Sequence, residues 1–122
     1  MQEVSTLVIQ AQSDLYEVRK MIHKIGFFIE NEKFCMDAGK PYLVMRAVRG
    51  EEKTPYEPAE YEYGRLLPEV SDTAYRKFLL DERDKKMKLQ ETLNMQKTSG
   101  AGARVEELTE EITGLNWILN KF

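Results

Sequence analysis

Val4, Val8, Ala11, Leu15, Val18, Ile22, Ile25 and Ile29 follow one another at spacings of four, three, four, three, four, three and four. That spacing draws one apolar stripe along a helix, the seam by which helices pair lengthwise. It predicts a helix over about residues 3–33, with a seam about 39 Å long at about 1.5 Å rise per residue. Leu7, Ile9, Met21, Phe27 and Phe28 widen the apolar face at both ends, which asks for more than one packing neighbour. Gly26 lies inside the pattern at a cost in helix propensity and reads as close packing against a bulky neighbour.

Beyond this stretch the helical period breaks. Gly39 and Pro41 stop the helix. Tyr42 to Val48 is a short apolar run suited to a strand. Gly50, Pro55 and Pro58 mark a loop. "EYEYGRLL" (Glu60 to Leu67) alternates, with Tyr61, Tyr63, Arg65 and Leu67 on one face and Glu60 and Glu62 on the other. Residues 41–67 are therefore expected to form a β-hairpin, which must lie on helices or on another subunit to be stable.

Ser71 or Asp72 is a good N-cap for a second helix over 72–97. Its centre, "DERDKKMK" (Asp81 to Lys88), reads as a solvated face. "TSGAGA" (Thr98 to Ala103) is a flexible break. A last helix over 103–121 carries a second seam: Val105, Leu108, Ile112, Leu115, Leu119 and Phe122. The first seam is longer than the last helix can cover, so the two are expected to be completed across a symmetry axis.

The chain has 122 residues, the length of one domain. Charged residues make up 32%, which suits exposed helices, and the net charge of −3 argues against a chain that coats nucleic acid, without excluding a local basic site. "RDKKMK" is a short run flanked by Asp81, Glu82 and Glu91 that an exposed helix face explains, so nucleic acid is not the expected partner. The single cysteine rules out an intrachain disulfide and a cysteine zinc site, and a reducing cytoplasm is the default. No secretory signal and no membrane-length apolar run is present, so no membrane association is expected.

No catalytic constellation emerges. His23 is the only histidine, without the further ligands a metal needs. Cys35 lies too far from His23 along one helix to form a nucleophile–base pair. "SGAG" lacks the strand before it and the Lys-Ser/Thr after it that a phosphate loop requires. Glu106/Glu110 and Glu107/Glu111 read as a solvated face complementing the helix dipole. The more informative set is Arg46, Arg49 and Arg65 with Tyr56, Tyr61 and Tyr63 around the hairpin. Arginine grips phosphate or carboxylate bidentately and tyrosine stacks on a planar ring. The simpler alternative pairs Arg46 with Glu60 or Glu62 across the hairpin.

These readings converge on a mainly α (α+β) chain: a long N-terminal helix, a β-hairpin insertion and two C-terminal helices in a helical-bundle or coiled-coil homo-oligomer. The oligomer seam comprises Val8, Leu15, Val18, Ile22, Ile25, Ile29, Leu108, Ile112, Leu115 and Leu119. The expected role is a non-enzymatic assembly factor that binds itself and another protein, such as an adaptor, a chaperone-like subunit or a phage or mobile-element inhibitor. No catalytic residue, cofactor or metal is assigned. The second reading is a small-ligand binder holding a nucleotide or other anion in an inter-subunit pocket of those arginines and tyrosines.

Overall fold

A computed structural model describes residues 4–69, 72–96 and 100–122. Ser71, Thr98 and the expected helix limits at 3 and 97 lie outside the described residues. The long N-terminal helix is not formed. Its stretch divides into a strand β1 (Thr6–Ala11), a helix α1 (Leu15–Lys24) and the start of a strand β2 (Phe27–Asp37). "TLVIQA" is rich in branched side chains that suit a pleated surface, and its exposure alternates residue by residue. Asp14, with φ 55°, turns the chain into α1 in the left-handed region that aspartate tolerates. Gly26, with φ 86°, ends α1: its N–H donates to His23 O at 3.1 Å and the chain leaves as β2. The close-packing role expected of Gly26 is replaced by a helix stop, since nothing lies within 4 Å of where its Cβ would be.

β2 turns into β3 (Lys40–Arg49) through Ala38 and Gly39, both at positive φ, as the tight two-residue hairpin turn demands. Gly39 thus closes a strand turn and stops no helix. The sheet is antiparallel throughout, in the order β1-β3-β2. A bulge between Ile29 and Asn31 changes which residues of β2 point inward. Phe27 and Ile29 are buried before it, Glu32 and Phe34 after it. With Leu43, Met45 and Ala47 of β3 they form the face packed by Leu15, Val18 and Ile22 of α1. Val8 lies off that core, 71% exposed, and Ile25 is exposed at the end of α1.

The second hairpin strand is also absent. Glu60 to Leu67 spans a short helix α2 (Pro58–Tyr63) and the start of α3 (Leu66–Glu69). Glu57 and Glu60 form a reciprocal capping box around Pro58, the first helical residue. Three residues separate the partners of such a box, and proline belongs at the first helical position, so this segment carries a helix start.

Two longer helices follow, α4 (Thr73–Gln96) and α5 (Ala101–Leu119). Asp72 caps α4 by accepting the Tyr75 N–H at 2.9 Å. The two run antiparallel, held by Arg83–Asn116, Lys86–Glu111 and Gln90–Thr109 contacts. Leu108 and Leu115 are fully buried, and Ile112 and Leu119 half-buried, within one chain. The seam expected to join subunits is therefore covered in cis. Leu115 and Ile118 reach the same core as the sheet.

Candidate functional site

The bulge in β2 delivers Glu32 to the buried face opposite Arg19 of α1. Arg19 Nε and Nη2 donate to Glu32 Oε1 at 3.1 and 2.7 Å, and Nη1 donates to Tyr61 O at 2.7 Å. Both side chains are 0% exposed. A buried ion pair survives only when hydrogen bonds offset its lost hydration, and Arg19 meets that condition. Glu32 Oε2 has no hydrogen-bond partner among the described residues.

One turn along α1, His23 Nδ1 hydrogen-bonds Tyr61 Oη at 2.8 Å and Nε2 hydrogen-bonds Glu52 Oε1 at 3.0 Å. The same carboxylate oxygen accepts the Ile29 N–H at 3.0 Å, tying the loop after β3 to β2. The Tyr56 ring stands edge-on to His23, with centroids 4.7 Å apart, and the Arg65 guanidinium lies 4.2 Å over its face. Burial foremost, then the Glu52 charge, pushes the Tyr56 phenol far above its ordinary range. Burial also acts to raise Glu60, but hydrogen bonds from Arg65 and from the Glu57 backbone outweigh it and hold the carboxyl below its ordinary value.

Arg65, Tyr56 and Tyr61 are thus brought together, with Glu60 as the arginine's partner at 2.7 Å. Arg65 also donates to Thr54 O and Pro55 O. Arg46 and Arg49 lie elsewhere. Arg46 is exposed, 3.4 Å from Glu30, so its carboxylate neighbour is on β2 and is neither Glu60 nor Glu62. Arg49 donates to Val4 O at 2.6 Å and rests over the Phe27 ring. Tyr63 accepts the Tyr75 hydroxyl at its backbone carbonyl, 2.8 Å away. Arg19, Glu32 and Glu52 escaped the sequence reading. Arg19 had a usable signal: it lies on the apolar stripe of Leu15 and Ile22, where a charge demands a buried partner.

A cavity of about 180 Å³ opens where β1 ends, between the β2–β3 hairpin, α2 and α4. Gln12, Tyr42, Glu62, Tyr63, Phe78 and Lys86 line it over an apolar floor. Burial, ahead of the Glu62 charge, pushes the Tyr63 phenol above its ordinary value. The Tyr42 phenol is raised foremost by the neighbouring thiol of Cys35, the residue opposite it in the sheet.

The whole fold recurs in solved structures. An uncharacterized protein of Listeria monocytogenes superimposes with a TM-score of 0.86 at 17% identity, over 95% of this chain and 51% of that one. The Bacillus subtilis m1A22 tRNA methyltransferase TrmK gives 0.79 at 18% identity, over 93% and 51%. The M. capricolum TrmK in complex with S-adenosyl-homocysteine gives 0.77 at 16% identity, over 99% and 51%. The chain spans about half the length of these structures. No curated protein matches it in sequence. Over this stretch the fold is the small antiparallel sheet plus helices that these structures share, and the coiled-coil oligomer is set aside. A family model described as TrmK, tRNA (adenine(22)-N(1))-methyltransferase, matches residues 1–116. That match overturns the reading as a non-enzymatic protein-binding factor, and with it the expectation against nucleic acid as a partner. The chain belongs to the TrmK family of tRNA (adenine(22)-N(1))-methyltransferases.

Proposed function

We propose that the protein carrying this chain methylates N1 of adenine 22 in tRNA. The family match over residues 1–116 carries the proposal. The charge distribution supports it. Arg76, Lys77, Lys85 and Lys88 are exposed along α4, interleaved with exposed Asp81, Asp84 and Glu91, whereas α5 concentrates Glu106, Glu107, Glu110 and Glu111. The net charge of −3 belongs to the whole chain, and α4, with Lys and Arg in a small excess over Asp and Glu, is less acidic than α5. RNA is gripped through its phosphates by local Lys and Arg, so α4 is the face of this chain suited to a tRNA backbone.

One relative was solved with S-adenosyl-homocysteine. A nucleoside of that kind is held by a glycine-rich turn that follows a strand and opens a helix. In this chain the turn from β1 to α1 is Gln12-Ser13-Asp14, without glycine. Among the described residues no strand leads through a glycine-rich turn into a helix. The chain's own residues therefore do not fit the donor, and none is given a step through it. Their part is to engage the tRNA.

The test is methyl transfer to unmodified tRNA in the presence of S-adenosylmethionine, with adenine or guanine at position 22. Incorporation that requires the adenine is expected. Equal incorporation into both transcripts would refute the proposal.

A further inference from the structure

We infer that Tyr75 is a positioning residue whose hydroxyl sets the angle at which α4 meets the tRNA. The inference rests on the methyltransferase reading, which gives α4 the contact with the tRNA backbone, and names what aims that helix. The α4–α5 hairpin is a lever held at one end. Its base is built into the core: Tyr75, Leu79, Leu115 and Ile118 are buried there, with Phe78 and Phe122 packed against them. Farther out, the polar contacts of α4 run to α5: Lys86 to Glu111, and Gln90 to Thr109 and to Val105 O. Lys85 and Lys88 stand about 15 and about 20 Å beyond Tyr75, at about 1.5 Å per residue. A tilt of about 5° at the base would displace Lys88 by about 1.7 Å on that rise.

One side-chain contact gives the base a direction. The Tyr75 hydroxyl donates to Tyr63 O at 2.8 Å. Among the described residues it is the one side-chain hydrogen bond that joins the hairpin to the sheet, α1 or α2, and no ion pair joins them. Apolar packing has no direction of its own, whereas a hydrogen bond fixes a separation and an angle. This one is held at both ends. The Tyr75 ring, 2% exposed, lies among Phe34, Phe78 and Phe122, with centroids 5.0, 6.1 and 6.3 Å away. Tyr63 is the last residue of α2, where carbonyls lack a partner within the helix. α2 is itself held by Arg19, which donates to Tyr61 O and is fixed in turn by Glu32. Tyr75 therefore ties the helix that engages the tRNA to the buried pair between α1 and β2.

Affinity and alignment then separate. Phosphate contacts supply most of the affinity for a nucleic acid. Alignment governs rate: a misplacement of about 1 Å, made far from the chemistry, can cost on the order of a hundredfold. Removing the Tyr75 hydroxyl leaves every exposed cation of α4 in place and loosens only the angle at which they are presented.

The experiment compares the wild type with Tyr75→Phe, which keeps the ring and removes the hydroxyl. Methyl transfer to tRNA is expected to show kcat lowered at least about tenfold, with the KM for tRNA held within about twofold. Phe122→Leu is the control. It loosens the surroundings of the Tyr75 ring and keeps the bond, so it should lower the unfolding midpoint and leave kcat near the wild-type value. A wild-type kcat in Tyr75→Phe, or the same loss of kcat in both variants, would overturn the inference and leave the methyltransferase reading standing. Nitroxides attached through Arg46→Cys and Met95→Cys, at two exposed positions, read the angle without activity once Cys35→Ser removes the native thiol. The distance distribution between them, measured by double electron–electron resonance, is expected to broaden in Tyr75→Phe, and an unchanged width would also overturn the inference. A wild type that transfers no methyl group to tRNA would overturn the methyltransferase reading and, with it, the role given to Tyr75.

Discussion

Arg19 and Glu32 meet at 2.7 Å with both side chains completely buried, and the bulge one residue pair before Glu32 is what points that carboxylate inward. The pair links α1 to β2 and, through Tyr61 O, to α2. Removing one partner leaves the other charge stranded in the core. Arg19→Met is expected to cost about 3–5 kcal/mol of stability. Replacing both partners, Arg19→Met with Glu32→Met, is expected to restore most of that loss, since the stranded charge is gone. Urea unfolding of the two single variants and the double variant measures it.

Gly64 lies against the same pair. A Cβ there would lie 2.9 Å from Glu32 Oε2 and 3.1 Å from Arg19 Nη2, and its φ of 97° is strained for any L side chain. Gly64→Ala is expected to destabilise by about 1–3 kcal/mol. Gly102, inside α5 with nothing within 4 Å, should behave oppositely: Gly102→Ala is expected to stabilise by about 0.4–1 kcal/mol. Thermal unfolding of both variants reads the contrast in sign.

The covered seam makes a prediction about assembly. Leu115 is fully buried between α5 and the rest of the chain. Leu115→Ala is expected to cost about 2–5 kcal/mol. Because the partners are in the same chain, the wild-type unfolding midpoint should not move with protein concentration. A midpoint rising with concentration would indicate a seam completed between subunits.

Acid should loosen the fold in a defined direction. Glu60 and Glu111 are both held below their ordinary value of 4.5: burial acts to raise them, but cationic partners, Arg65 for Glu60 and Lys86 with Arg104 for Glu111, outweigh it. A carboxyl whose folded pKa is depressed contributes stability above its unfolded value and loses it as pH falls through the folded one. Stability is expected to be level near neutrality and to fall below about pH 4.5. Arg65→Met should flatten part of that fall, as urea midpoints at a series of pH values would show.

The sequence carried its later half more openly than its first. The segments read as helices over 72–97 and 103–121 hold α4 and α5, long enough for period and cap to be distinct. The N-terminal seam misled for a physical reason. The six-residue β1, the ten-residue α1 and the start of β2 each place an apolar residue where a continuous heptad would, and no piece is long enough to expose its own period. Asp14 and Gly26, the two turn residues, were the contrary signals. At Glu57 to Glu60 the capping box is legible in the sequence, but the Glu-Tyr alternation that overlaps it mimics a strand. Arg65 with Tyr56 and Tyr61 form part of one cluster, whereas Arg46 and Arg49 do not join it. The cavity at the end of β1 had no local signature, because Gln12, Glu62 and Phe78 meet only once the sheet and helices are assembled.

The most direct test reads position 22 in cells. Reverse transcription halts at N1-methyladenine, because the methyl blocks the base's pairing edge. In tRNA from cells whose gene for this protein is deleted, the halt at adenine 22 should vanish, and it should return when the gene is restored. A halt at adenine 22 that persists undiminished after deletion would contradict the assignment.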